Sequence, residues 1–139
     1  MTPREIPGGL QAPVSFDEKT EAAASGIWAC ELATQKLRWS GGVFSLFGLP
    51  DSARLDRREI VEMYCDHSRE EMEWLRAEAI SRRCGFSLEA EIQRADGSRR
   101  WMLLTARVHS RNGRPTHIFG SKRDITDVRR ARASLISFS

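Results

Sequence analysis

The alternation of apolar and polar residues in the last third of the chain restricts its fold more than any other feature. Every second residue is apolar over 86–93 and again over 100–110, and a third candidate strand, 116–123, follows at once. A period of two residues is typical of β-strands that bury one face. The dipeptides Asp96-Gly97 and Asn112-Gly113 interrupt the runs and favour tight turns. The sequence therefore predicts an antiparallel meander that leads directly into a helix start.

Length and composition favour one soluble domain. A chain of 139 residues is long enough to bury a single core, and its 40% hydrophobic and 29% charged residues are typical of globular proteins. No apolar run approaches the roughly 20 residues that span a bilayer. The first 15 residues contain no apolar segment of a secretory signal. We therefore expect a cytoplasmic protein with no membrane partner.

Charge and cysteine content exclude further classes of protein. The net charge of +3 comes from 22 basic and 19 acidic residues that are spread along the chain, without a recognition helix or an aromatic and basic RNA-binding strand. We therefore expect no nucleic-acid partner. The three cysteines are far apart and form no Cys-x-x-Cys pair, which argues against a disulfide framework and against a zinc site.

The first two thirds of the chain predict a tail, two strands and several helices. Residues 1–14 hold three prolines and predict a disordered tail, and 15–24 predict a flanking helix. The elements that follow are strands over 27–32 and 36–39, helices over 43–47 and 55–64, and a longer helix between Ser68 and Gly85. We expect Ser40 and Ser68 to be N-caps, and Gly48 and Gly85 to end their helices.

Several short motifs occur in a fixed order along the chain. They are Gly26-Ile27-Trp28, Trp39-Ser40, Phe47-Gly48, Asp66-His67, Asp96-Gly97, Arg100-Trp101, Gly113-Arg114-Pro115, Gly120 and Asp124-Ile125-Thr126. With these motifs the chain resembles a PAS domain, of the subgroup with a Gly-x-Trp at the first strand and an Asp-Ile-Thr junction at the end. The resemblance covers about residues 25–126 and leaves 127–139 as the start of a C-terminal signalling helix.

The resemblance implies an α+β fold. The family has a five-stranded antiparallel sheet in the order 2-1-5-4-3, with helices over one face that enclose a pocket, and flanking helices at both ends. Its members sense small ligands, light or redox state, or only dimerise.

The inward faces of the predicted strands and helices define a candidate ligand pocket. Its apolar members are Trp28, Cys30, Phe44, Leu75, Ile80, Leu88, Ile92, Met102, Leu104 and Ile118. Such a lining is typical of ligand sites, but the same residues can also pack into a solid core.

Lys122 is the one charged residue that the alternation points into this pocket. By resemblance it occupies the position of the glutamine that bonds the flavin in light-sensing members. A buried ammonium must be paired or neutralised. Lys122 is therefore expected either to reach the rim of the pocket or to contact an anionic ligand or an acidic residue.

The sequence argues against flavin and heme as cofactors. The Asn-Cys-Arg-Phe-Leu-Gln segment of the light-sensing members does not occur, and the only histidines, His67, His109 and His117, are expected at the surface or at caps. We therefore expect no resident cofactor, whereas a small-molecule ligand remains open.

Two further regions are candidate functional surfaces. Asp124, Ile125 and Thr126 lie where the last strand meets the final helix, and a carboxylate or hydroxyl there can cap that helix. By resemblance this is the signal junction. Trp101, Leu103 and Phe119 form an apolar strip on the outer sheet face, which we expect the 15–24 helix, a second subunit or both to cover. The chain is thus expected to form a homodimer.

Together these expectations describe a sensory and interaction module of a bacterial two-component or related signal-transduction system. It would bind a small ligand, dimerise and regulate a partner such as a histidine kinase. The alternative is a ligand-free PAS dimerisation or scaffold module. No Ser-His-Asp arrangement, Gly-x-Gly-x-x-Gly loop or metal-ligand cluster occurs, so we do not expect an enzyme.

Overall fold

The computed structural model of the protein describes residues 23–138. Along this part of the chain the elements are β1 (Ser25–Glu31), β2 (Lys36–Trp39), α1 (Gly41–Phe47), α2 (Arg57–Glu62), α3 (Asp66–Arg82), β3 (Phe86–Gln93), β4 (Arg99–Arg111), β5 (Arg114–Asp124) and α4 (Thr126–Phe138). The predicted tail and all but the last two residues of the predicted 15–24 helix lie outside the described residues.

The strands form one antiparallel sheet in the order β2-β1-β5-β4-β3. The predicted α+β fold class and the predicted order 2-1-5-4-3 are therefore confirmed. The long strands β4 and β5 meet at the Asn112-Gly113 turn, where both residues have positive φ angles of 52° and 76°. A two-residue hairpin turn of this type requires positive φ at both positions.

The helices α1, α2 and α3 cover one face of the sheet. The most deeply buried large side chains lie between this layer and the strands and include Phe47, Ile92, Met102 and Ile118. The final helix, α4, contacts β4 on the opposite face. Within residues 23–138, none of these helices has the length and apolar character needed to cross a membrane.

Close backbone approaches explain two glycines in this packing. A Cβ atom at Gly120 would overlap the backbone carbonyl of Thr105, and a Cβ at Gly42 would overlap the carbonyl of Ser25. Only glycine fits at these two positions, where β5 passes β4 and α1 passes β1.

Two of the predicted helix ends are wrong, and a third is right in position only. Ser40 is the N-cap residue of α1 as predicted, but its hydroxyl makes no capping bond and instead accepts a hydrogen bond from the backbone N–H of Ile27 at 2.9 Å. Helix α3 begins at Asp66, and the Ser68 hydroxyl instead accepts from Glu91 N–H of β3 at 2.8 Å. Both hydroxyls satisfy strand donors, which tie the helices to the sheet.

The second wrong helix end is at Gly85. Helix α3 ends at the left-handed Arg83, whose φ is 55°. Gly85 is required for a different reason, because a Cβ there would lie 2.6 Å from the Ala106 carbonyl oxygen. By contrast, Gly48 ends α1 in the left-handed conformation as predicted.

Candidate functional site

An aromatic cage surrounds Lys122 on the inner face of the sheet. Its ammonium lies 4.9 Å from the ring centroid of Phe47, 5.2 Å from Trp39, 5.5 Å from Trp28 and 5.7 Å from Tyr64. These rings come from β1, β2, α1 and the segment after α2. Their negative faces attract a cation, although they cannot replace a full counter-charge.

The ammonium of Lys122 has no acidic partner among residues 23–138. The side chain is only 5% exposed, so it does not reach the rim, and no described carboxylate forms an ion pair with it. Burial, with a smaller contribution from the nearby Arg57 guanidinium, lowers the pKa of Lys122 from 10.5 to about 7. Near neutral pH this amine therefore exchanges between its charged and neutral forms.

A cavity of about 40 Å³ adjoins this lysine. Besides Lys122, its polar lining consists of Arg57, Arg76, Tyr64 and Cys30. About 10–15 Å³ of such volume holds one water molecule. The cavity therefore has room for about three heavy atoms, and we refer to it as the Lys122 cavity.

The predicted pocket residues divide into two groups. Those that line the Lys122 cavity are Trp28, Cys30, Leu104, Ile118 and Lys122. Those that are buried or half-buried elsewhere between helices and sheet are Phe44, Leu75, Ile80, Leu88, Ile92 and Met102. Apart from Phe44, which packs against Trp39, the second group belongs to the packed core around the cavity.

Neither arginine of the cavity is among the pocket residues predicted from the sequence. Arg57 is three, four and seven residues before Ile60, Val61 and Tyr64, so it shares their side of α2. Arg76 lies four residues after Met72, on the stripe of α3 that faces the core. A basic residue on an apolar helix stripe was the signal that could have identified each of them.

Outer partners hold the two arginines at the cavity wall. Arg57 forms an ion pair with Glu73 of α3. Arg76 donates a hydrogen bond to Gln35 Oε1 at 3.0 Å. Burial lowers the pKa of Arg76, and the neighbouring charge of Arg57 adds to this effect. Each guanidinium is thus fixed in direction while its remaining donors stay near the cavity.

The junction between β5 and α4 is tied to β4 by hydrogen bonds. Asp124 Oδ1 accepts from the Thr126 N–H at 2.9 Å and so satisfies a donor at the start of α4. Thr126 Oγ1 accepts from the Trp101 N–H at 2.9 Å, and the Ile125 N–H donates to the Trp101 carbonyl at 2.8 Å. All three predicted junction residues therefore position α4.

Helix α4 lies on the outer face of the sheet through a second set of contacts. The Arg129 guanidinium lies 3.5 Å from the Trp101 ring centroid. Glu89 of β3 accepts from Arg129 at 2.7 Å and from Arg132 at 2.9 Å. We call Glu89, Trp101, Arg129 and Arg132 the exit-helix latch. Helix α4 therefore covers Trp101, which the sequence did not predict.

The rest of the predicted outer strip remains more open. Leu103 is half-buried and Phe119 is 39% exposed among the described residues. Ile27 of β1, which was not in the predicted strip, is 69% exposed on the same face. This part of the sheet therefore presents apolar surface beside the latch.

A family model described as the PAS fold matches residues 36–121. A search of curated proteins finds no match to the chain. Among solved structures, the chain is similar to a sensory box histidine kinase/response regulator from Burkholderia thailandensis E264. The two are 20% identical with a TM-score of 0.68, over 83% of this chain and 87% of that one.

Two further structures have the same fold. The N-terminal domain of a diguanylate cyclase with a PAS/PAC sensor from Marinobacter aquaeolei is 13% identical, with a TM-score of 0.69, over 76% of this chain and 98% of that one. An RNA-binding light-oxygen-voltage receptor is 13% identical with a TM-score of 0.66, and 84% of this chain corresponds to only 36% of it.

Proposed function

The chain belongs to the PAS fold family, and from this premise we propose that it is a sensory and interaction module of a bacterial signal-transduction system. It holds a small ligand beside Lys122, dimerises and regulates a partner such as a histidine kinase. The observation that carries the proposal is the course of β5. Lys122 lies in the cavity, and two residues later Asp124 holds the start of α4.

This short distance couples the two sites mechanically. A ligand that draws the Lys122 ammonium toward it displaces β5, and Asp124 and Thr126 transmit that displacement to α4. A ligand shifts an equilibrium only when it binds the two states differently. The latch ion pairs are partly exposed and hence weak, so a small difference in affinity is sufficient to move α4.

The exposed residues of α4 support dimerisation. Val128 is 53% exposed and Leu135 is 70% exposed, and their spacing of seven positions places both on one side of the helix. Together with Ile27 and Phe119 on the sheet, they form apolar surface that a second copy of the chain would bury. Sedimentation velocity on Leu135→Asp and the native chain tests this, since a dimer through α4 should dissociate.

A ligand-free dimerisation module is the second candidate. The size of the Lys122 cavity favours it, because typical ligand pockets have about 300–1,000 Å³ and this cavity has about 40 Å³. The similarity to a light-oxygen-voltage receptor raises the question of a flavin, for which the Lys122 cavity is also too small. A flavin would require the helices to move away from the sheet.

Native mass spectrometry combined with amide hydrogen exchange distinguishes the two candidates. The sensor should retain a small molecule that is absent from Lys122→Met, and this variant should change the exchange rates of α4. Lys36→Met, which removes an exposed lysine of β2, is the matched control and should change neither. A native chain without a retained molecule, whose α4 exchanges as in Lys122→Met, would support the scaffold instead.

A further inference from the structure

Positive charge is in excess around the Lys122 cavity. Lys122 reaches it from β5, Arg57 from α2 and Arg76 from α3. The acidic residue at this wall is Glu73, and it pairs with Arg57 on the outer side, where its side chain is 42% exposed. Three basic side chains therefore face a small space with one carboxylate beside them, so their mutual repulsion is not fully compensated.

The other titratable groups that face Lys122 are Tyr64 and Cys30, and no carboxylate is among the described residues that line the cavity. Burial raises the pKa of the Tyr64 phenol, so it stays neutral at physiological pH. Cys30 of β1 is the remaining titratable group at the cavity. In the same aromatic cage the indole N–H of Trp39 is buried without a hydrogen-bond partner among the described residues. An acceptor is thus the missing component.

We propose that the Lys122 cavity binds the carboxylate of a small organic acid between the Lys122 ammonium and the Arg57 and Arg76 guanidiniums. This rests on the sensory function proposed above and names the class of its ligand. Ammonium and guanidinium groups form their strongest hydrogen bonds with carboxylates and phosphates. The volume favours the carboxylate group, which has three heavy atoms, over phosphate, which has five and exceeds the cavity. Acetate adds a fourth atom and should therefore bind more weakly than formate.

Binding of a carboxylate is linked to proton uptake. In the free protein Lys122 loses its proton near pH 7, and a bound anion stabilises the charged form. The fraction of free protein with a charged lysine falls about 20-fold from pH 6.5 to pH 8.5. The affinity for a carboxylate should fall by the same factor over this range.

Isothermal titration calorimetry of the 139-residue chain with sodium formate and sodium acetate tests the proposal. We expect binding at pH 6.5 that is about 20-fold weaker at pH 8.5. At pH 7.5, titrations in two buffers with different heats of ionisation should report uptake of about 0.8 proton. Lys122→Met should abolish binding, Arg76→Gln should weaken it at least about tenfold, and Lys36→Met should leave it unchanged.

Three results would overturn the proposal. The first is the absence of a binding heat from either acid at pH 6.5, and the second is an affinity of Lys122→Met equal to that of the native chain. The third is binding of chloride as tight as that of the acids, which would indicate an adventitious anion site. Circular dichroism of each variant separates lost binding from lost folding. If formate and acetate fail while native mass spectrometry still detects a molecule that depends on Lys122, the ligand class is wrong and the sensory function stands.

Discussion

The two faces of the sheet each place a cation against aromatic rings, but they complete its electrostatics differently. On the inner face Lys122 lies among four rings and has no carboxylate partner among the described residues. On the outer face Arg129 lies over Trp101 and also forms an ion pair with Glu89 at 2.7 Å. The outer cation is fully partnered, and the inner one has an open position.

This difference separates a responsive site from a structural one. A buried charge without a partner is costly, so folding works against it, and any anion or pH change that alters its charge alters the stability of the fold. A partnered, partly exposed cation costs little and contributes little. We infer that the Lys122 cavity receives the signal and that the exit-helix latch releases α4.

The largest expected effect is that of Lys122→Met on stability. The folded-state pKa of about 7 lies below the ordinary value of 10.5, so between these values the unfolded chain holds a proton that the folded chain lacks. The free energy of unfolding therefore rises with pH through this window, by up to about 1.4 kcal/mol per unit. Lys122→Met should remove the rise and be about 2–5 kcal/mol more stable at pH 7.

Urea unfolding at several pH values from 6.5 to 9.5 measures this effect. Lys36→Met, on an exposed position of β2, should keep the native slope. The stability of the native protein should rise relative to that of Lys122→Met as the pH increases, and a relative fall would contradict the prediction. Equal slopes in the two proteins would show that Lys122 keeps its charge throughout.

The inward direction of Lys122 could be predicted from the sequence because side-chain alternation along a strand is a local property. Its cage could not, because the four rings come from segments up to 36 residues apart that only the tertiary fold brings together. The partners of the two predicted capping hydroxyls could not be predicted for a related reason. Ser40 and Ser68 have the residue type of a cap, but a strand N–H from elsewhere in the chain takes their hydroxyl.

A second expected effect concerns the connection between the two faces. Thr126→Val keeps the shape of the buried side chain but leaves the Trp101 N–H without its acceptor. An unsatisfied buried donor costs about 1–3 kcal/mol, and α4 should exchange its amide hydrogens faster. The matched control is Thr116→Val, which removes an exposed hydrogen bond to His109. A cost for Thr126→Val no larger than that of the control would mean that the junction does not hold α4.

A third, smaller effect is the acid release of the latch. Hydrogen bonds from Arg132 and then Arg129 hold the pKa of Glu89 below its ordinary value of 4.5. The contribution of Glu89 is therefore present above pH 4.5 and lost as the pH falls through the folded-state pKa. Glu89→Gln should lose about 0.5–1 kcal/mol at pH 7, and α4 amide chemical shifts should no longer change in acid.

Glu91→Gln is the matched control for the latch. Glu91 lies on the same face of β3, and its carboxylate forms a long ion pair with the Arg99 guanidinium, at 3.8 Å. Its α4 shifts should follow those of the native chain. The acid transition of Glu89 and the transition of Lys122 above pH 7 should thus occur in separate ranges. A single transition that moves both faces together would contradict the division into a receiving site and a latch.

The smallest expected effect distinguishes stacking from charge within the latch. Arg129 both pairs with Glu89 and lies over Trp101, whereas Arg132 pairs with Glu89. Arg129→Lys keeps the charge but loses the planar group, and should cost about 0.5–1 kcal/mol of α4 protection in hydrogen exchange. Arg132→Lys should cost less than about 0.5 kcal/mol, since a lysine at an exposed pair serves nearly as well. Equal costs for Arg129→Lys and Arg132→Lys would mean that charge alone holds α4 on the outer face. Aromatic rings around a cation would then matter only on the inner face, where Lys122 lacks a counter-ion.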